Sequence, residues 1–134
     1  MSVIAPHLAA VYAAVLGLLA ALLTVRVIVN RVRTNVAAGD GGDARLAQSI
    51  RAHGNFAEHA PLALLLIALA EMLGAAPTWI HGLGAVLVLA RLISAWGLGT
   101  SLGTTPQRQI GAALTIAVLV LASLLILVRT VAVA

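Results

Sequence analysis

The chain has 134 residues, of which 62% are hydrophobic and only 9% are charged, and its mean hydropathy is +1.10. This composition is typical of membrane proteins rather than of soluble ones, and the length allows one domain, residues 1–134. The net charge is +4 and every basic residue is arginine, but the charges flank or interrupt apolar spans and aromatic residues are 3%, which excludes nucleic acid as the expected partner.

Four apolar stretches follow one another along the chain. The first (residues 8–25) and the last (110–128) are close to the length of about 20 residues with which a helix crosses a hydrocarbon core. The second and third reach that length only when their polar portions are counted as helix. The sequence therefore predicts an all-α integral membrane protein, a four-transmembrane-helix bundle. Its predicted helices span residues 5–29, 44–73, 78–98 and 107–130.

Short polar connections separate the predicted helices. Residues 39–42, Gly-Asp-Gly-Gly, predict a flexible turn, and Asp43 is placed to cap the second helix. Residues 74–77 form the second turn. Thr105 and Pro106 predict a capping residue followed by a proline at the first position of the fourth helix.

The distribution of arginine predicts the orientation in the membrane. The arginines of the first and third connections are Arg26, Arg31, Arg33, Arg45 and Arg108. The second connection has only Glu71, which we expect to be an interfacial carboxylate, and His81. The positive-inside bias places connections one and three in the cytoplasm and both termini outside, with Arg129 as an exception. The exclusive use of arginine indicates a GC-rich bacterial genome and favours the inner membrane.

A polar stripe lies on the second predicted helix. At 100° per residue, Arg51, Asn55 and Glu58 fall within an arc of about 60°, Gln48 widens the arc to about 80°, and His59 lies at its edge. Three leucines continue the stripe deeper into the bilayer: Leu62, Leu65 and Leu69. A charge at the centre of a membrane helix costs about 2.5 to 3.5 kcal/mol, so we expect the stripe to face protein or a wet cavity.

The residues alone leave two interpretations of the stripe open. It can bind a ligand with an anionic polar end, or Arg51, Glu58 and Arg91 can form an ion-pair network that locks helices two and three together. A metal site is not predicted, because His53 and His59 lack carboxylate company and the chain has no cysteine.

At this point the sequence resembles the membrane-associated proteins in eicosanoid and glutathione metabolism, the MAPEG family. The matching pieces are residues 39–42, the pattern Arg51-x-x-x-Asn55-x-x-Glu58-x-x-Pro61, and Ala90-Arg91-Leu92 with Gly97. The resemblance implies four-helix protomers that form a homotrimer, with glutathione as co-substrate between subunits near the cytoplasmic face. Bacterial members that share the Gly-Asp-Gly-Gly turn look closer to this chain than the leukotriene-forming enzymes do.

The resemblance also implies roles for individual residues. Those assigned to glutathione binding are Arg51, Asn55, Glu58, His59 and Gln48. Arg108 or Arg31 would stabilise the glutathione thiolate, and Arg91 would order the second and third helices. The chain departs from the well-studied transferases of the family, which commonly have tyrosine at the positions of His59, Ser94 and Leu98, and arginine at the position of Thr105.

Three functions are compatible with these observations. The leading hypothesis is a membrane-bound glutathione-dependent transferase or peroxidase that acts on a lipophilic second substrate, an electrophile or a hydroperoxide. The alternative is a membrane trimer that binds glutathione or a lipid anion without turnover, which the absent tyrosines favour. A small transporter is a third possibility, for which four spans without evident inverted repeats offer the least support.

Overall fold

The computed structural model describes residues 5–133, with side chains to residue 131, and forms a bundle of four helices. The helices are α1 (His7–Thr34), α2 (Ala44–Met72), α3 (Pro77–Thr100) and α4 (Pro106–Val133). Each is long and apolar enough to cross a membrane, and no strand occurs in the described residues. The predicted all-α, four-helix membrane architecture is confirmed.

The first helix continues beyond its predicted end at residue 29, as far as Thr34. It ends where Asn35 adopts a left-handed conformation (φ 54°), which lets the N–H groups of Asn35 and Val36 donate to carbonyls of the last turn. Hydropathy places the boundary too early because Arg31 and Arg33 are polar yet remain helical. The helix therefore extends past the apolar stretch and carries these two arginines toward the first connection.

The first connection turns through glycines and ends on a capping aspartate. Gly39, Gly41 and Gly42 have positive φ angles of 67°, 58° and 79°, a region that glycine enters without a steric penalty. Asp43 Oδ1 accepts the N–H of Leu46 at 2.8 Å, so the predicted cap is confirmed. This backbone hydrogen bond, with help from the guanidinium of Arg33 at 2.8 Å, lowers the pKa of Asp43.

The second helix, like the third, packs against the other three helices. Its buried face is built mostly from small side chains, with Ala52, Ala60, Ala63 and Ala70 almost fully covered. Small residues let membrane helices approach closely, which replaces the hydrophobic driving force that lipid does not supply. The opposite face of α2 is not covered by the other described residues.

Glu71, which we expect at the membrane interface, lies near the end of α2 and is buried inside the bundle, with 4% of its surface exposed. Its two oxygens accept the N–H groups of Leu8 and Ala9 at 2.9 and 2.7 Å. The first N–H groups of a helix have no partner within that helix and attract negative charge. Glu71, at the end of α2, therefore caps α1 and joins the two helices at the end of the bundle that carries the second connection.

Two glycines allow close helix contacts at opposite ends of the bundle. A Cβ atom on Gly84 would lie 2.4 Å from the ring of Tyr12, so α3 receives this aromatic side chain of α1. A Cβ atom on Gly111 would lie 2.1 Å from Ser94 Oγ and 2.9 Å from the carbonyl oxygen of Ala90. The contact between α3 and α4 therefore depends on a missing side chain.

We expect Gly111→Ala to destabilise the protein by about 1 to 3 kcal/mol, because the added methyl group must displace both a buried side chain and the backbone of α3. Thermal unfolding in detergent measures the effect. The matched control is Gly17→Ala, since a Cβ at this helical position meets nothing within 4 Å. Equal melting temperatures for the two variants would contradict the packing at Gly111.

Candidate functional site

Arg51 and Glu58 both lie on the outward face of α2 and are exposed in the single chain. The core face of the same helix is formed by residues such as Ala52, Phe56 and Ala63, which point the opposite way. Deeper along the outward face, the three leucines of the stripe are 52%, 54% and 39% exposed: Leu62, Leu65 and Leu69. The stripe is thus polar toward the first and third connections and apolar toward the second.

Neither charge of the stripe forms an ion pair with a described side chain. The acid–base contacts among residues 5–131 are Arg33 with Asp43 at 2.8 Å and His7 with Glu71 at 3.9 Å. The ion-pair network of Arg51, Glu58 and Arg91 that the sequence left open is therefore not formed in this part of the molecule. Two opposite charges remain available on one side of a membrane helix.

Arg91 occupies the interior of the bundle and is 2% exposed. Its guanidinium donates to Asn55 Oδ1 at 3.0 Å on α2, to Ser94 Oγ at 3.1 Å on α3, and to the Gly111 carbonyl at 3.3 Å and the Thr115 hydroxyl on α4. Each acceptor is a neutral oxygen. The arginine thus links three helices, and it fixes the amide of Asn55 at the edge of the stripe.

A cleft of about 240 Å³ opens beside Asn55, between α2, α3 and the start of α4. It is lined by Asn55, Ser94, Leu98, Thr104, Arg108, Gln109 and Ala112. Arg108 Nη1 donates to the carbonyls of Leu102 and Gly103 at 2.9 and 2.6 Å, which fastens the third connection to α4. The cleft therefore combines a guanidinium with an amide that is already oriented by Arg91.

Arg51 contributes to a neighbouring cleft of about 270 Å³, together with Gly39, Asp40 and Leu102. The Gly-Asp-Gly-Gly turn and the third connection thus both approach Arg51. Gly39 and Asp40 of the turn form part of the wall of this cleft. Within the turn, Asp40 Oδ1 accepts the N–H of Gly42 at 2.9 Å. The glycine turn, a simple connection by its sequence, also shapes the surroundings of Arg51.

The remaining predicted residues lie apart from this group or serve local structure. Arg31 Nη1 donates to the carbonyls of Val36, Ala37 and Gly39 at 3.2, 3.1 and 3.0 Å, so it organises the first connection. His59 Nδ1 lies 2.9 Å from the carbonyl of Asn55. Gln48 lines a separate cleft that faces α1. Asn55 and Arg108 thus line one cleft, and Arg51 lines a different one. Glu58 is exposed on the same face of α2 as Arg51. Gln48 and Arg31 line neither of these two clefts.

The hydroxyl partners of Arg91 were not predicted from the sequence. Ser94 and Thr115 are buried, and Thr115 also donates to the Gly111 carbonyl, one helical turn earlier. A usable signal existed, since each is a polar residue within an apolar stretch and so needs a partner inside the bundle. Among the described residues no group of three potential metal-ligating side chains occurs.

Comparison with known proteins agrees with this architecture. The profile of the MAPEG family matches residues 9–128, nearly the whole chain. The "Inner membrane protein YecN" of Escherichia coli strain K12 is 39% identical over 88 residues, which cover 66% of this chain and 67% of that protein. The protein of the same name from E. coli O6:H1 strain CFT073 gives the same identity and coverage. The resemblance to the family is thereby confirmed.

Proposed function

The chain belongs to the MAPEG family, and we propose that it is a membrane-bound glutathione-dependent transferase or peroxidase acting on lipophilic electrophiles or hydroperoxides. The family includes glutathione transferases and related enzymes. One observation carries the proposal: Arg51 and Glu58 are exposed on one face of a membrane-spanning helix, with no ion pair to either in the described residues.

Glutathione matches the charges on this face. The tripeptide carries two carboxylates and one amine, which Arg51 and Glu58 respectively would bind through charge-assisted hydrogen bonds. The amide of Asn55, held by Arg91 at 3.0 Å, would add a neutral contact between them. A single ligand then accounts for both signs of charge on the stripe. His59, at the edge of the stripe, would contribute to glutathione binding.

The stripe also supports association of this chain with further copies. Charges exposed to lipid are costly, so the outward face of α2 needs cover from protein or from a wet cavity. A homotrimer, as the family resemblance implies, would place this face at a subunit contact and enclose glutathione between subunits. The exposed leucines of the stripe would then form the apolar part of that contact and admit a lipophilic second substrate from the bilayer.

The assembly can be tested by light scattering of the detergent-solubilised protein, for which we expect the mass of three chains. Leu65→Gln should dissociate it, because this 54% exposed leucine would lie in the subunit contact. Leu127→Gln is the matched control, since Leu127 on α4 is 60% exposed and lies outside the stripe. Dissociation of the trimer by both variants, or by neither, would contradict the proposal that the stripe lies in the subunit contact.

Glutathione binding can be tested by calorimetry on the purified trimer. We expect Arg51→Ala and Glu58→Gln each to weaken binding by at least about tenfold, the loss of one hydrogen bond to a charged group. Arg129→Ala is the control, because it removes the same charge near the far end of α4. If Arg51→Ala and Glu58→Gln bind as tightly as the unaltered protein, the proposed site is wrong.

Activation of the glutathione thiol would fall to Arg108 rather than to Arg31. Nη1 of each arginine donates to backbone carbonyls of its neighbouring connection, but Arg108 lines the cleft beside Asn55 and Arg31 does not. A guanidinium near a thiol lowers its pKa by stabilising the thiolate. The thiolate sulfur would then form a bond to an electrophilic carbon and displace its leaving group. With a hydroperoxide, the thiolate would attack the terminal oxygen, break the O–O bond and release the alcohol after protonation. The resulting glutathione sulfenic acid would react with a second glutathione to give the disulfide and water.

Stopped-flow absorbance at the thiolate band tests this step. We expect glutathione to form thiolate on binding to the unaltered protein, and Arg108→Gln to abolish that signal while calorimetry still detects binding. Arg31→Gln should retain the signal. Binding without any thiolate would instead support the alternative function, a non-catalytic glutathione or lipid-anion binding trimer, which the buried Ser94 and Leu98 favour because the family's transferases commonly carry tyrosine there.

The four apolar helices make this an integral membrane protein. We propose the bacterial inner membrane as its location, on the strength of the printed name of the E. coli relative. The positive-inside bias of the arginines supports a cytoplasmic location for connections one and three and an outside location for the termini. Glutathione would then enter the site from the cytoplasmic side.

A further inference from the structure

The cleft lined by Gln48, of about 510 Å³, lies between α1, α2 and the end of α3. Its polar rim is formed by two arginines and two amides: Arg26, Arg45, Asn30 and Gln48. Its apolar wall includes Leu22 and Val25 of α1, which are 68% and 54% exposed. No residue of this cleft lines the clefts of Arg51 or Arg108, so it is a separate feature of the molecule.

Arg26 is held at the rim by the end of α3. Its Nη2 donates to the carbonyl of Gly99 at 3.0 Å. A Cβ atom on Gly99 would lie 2.6 Å from Arg26 Nη1, so the absence of a side chain there makes room for the guanidinium. The arginine is therefore fixed across the groove between α1 and α3, and no carboxylate of the described residues pairs with it.

Arg45 stands where its own helix disfavours a positive charge. It lies in the first turn of α2, the positive end of the helix dipole, and that turn contains no acidic residue. The side chain is exposed, and within residues 5–131 it forms no ion pair. An anion between Arg26 and Arg45 would relieve both unpaired charges and interact favourably with the helix end.

We propose that this cleft binds an anionic phospholipid, with the phosphodiester between Arg26 and Arg45 and an acyl chain along Leu22 and Val25. Basic clefts between membrane helices at the cytoplasmic face are suited to anionic headgroups. The apolar wall favours a lipid over a soluble phosphate as the ligand, because a small anion would leave Leu22 and Val25 uncovered. Asn30 and Gln48 would donate amide N–H groups to the headgroup.

Native mass spectrometry of the purified protein titrated with phosphatidylglycerol tests the proposal. We expect Arg45→Gln to weaken binding about fivefold and Arg26→Gln with Arg45→Gln to weaken it about 30-fold, since each guanidinium contributes about a factor of five at an anionic surface. Arg33→Gln is the matched control, because it removes the same charge at the same end of the bundle but does not line the cleft. The guanidinium of Arg45 is exposed and forms no ion pair among the described residues, so we expect its single variant to alter binding without altering the fold.

Three results would overturn the proposal. They are an equal loss in Arg33→Gln, equal binding of phosphatidylcholine, and displacement of the lipid by inorganic phosphate at concentrations equal to those of the lipid. Glutathione calorimetry on the same variants keeps the two sites distinguishable, since we expect Arg45→Gln to bind glutathione normally. A loss of glutathione binding together with lipid binding would also count against a separate lipid site.

Discussion

The hydrogen bonding of Arg91 is the constraint on which the rest of the structure depends. A guanidinium with 2% exposure would be very unfavourable without acceptors, and here α2, α3 and α4 each supply at least one. Every acceptor is a neutral oxygen, Nε of Arg91 has no hydrogen-bond partner, and no carboxylate of the described residues pairs with this guanidinium. The three helices must therefore keep the spacing that lets Asn55, Ser94 and Gly111 reach one side chain.

This arrangement explains why the charges of α2 remain outside the bundle. Glu58 is not required as a counter-ion for Arg91, and the small residues on the core face of α2 leave no interior space for it. Arg51 and Glu58 consequently lie on the outward face, separated from Arg91 by the helix itself, while Asn55 touches both regions at its edge. The structural arginine of α3 and the charged stripe of α2 thus remain apart and form no ion pair with each other.

The sequence predicted the elements well and the partners of individual residues poorly. Hydropathy and capping residues identify four helices, because crossing a bilayer requires a long apolar segment and helix ends require local acceptors. The hydrogen bonds of Glu71 could not be predicted in this way, because its partners, the N–H groups of Leu8 and Ala9, are 63 and 62 residues away in the chain. Gln48 was grouped with Arg51 by angle alone. The angular position of a residue on one helix does not show which helix lies beside it, and at Gln48 that helix is α1.

The departures of this chain from the family's transferases are connected through packing. Ser94 stands where those enzymes commonly have tyrosine, and its Oγ occupies the space beside Gly111 that even a methyl group would overfill. A phenol ring in the same direction would collide with α4, so Ser94, Gly111 and the Arg91 hydrogen bonds form one consistent arrangement. Leu98 is buried as well and offers no polar atom to a thiol. Under the proposed function, activation of glutathione would therefore fall to Arg108, which lines the cleft from the first turns of α4, rather than to a tyrosine hydroxyl of α3.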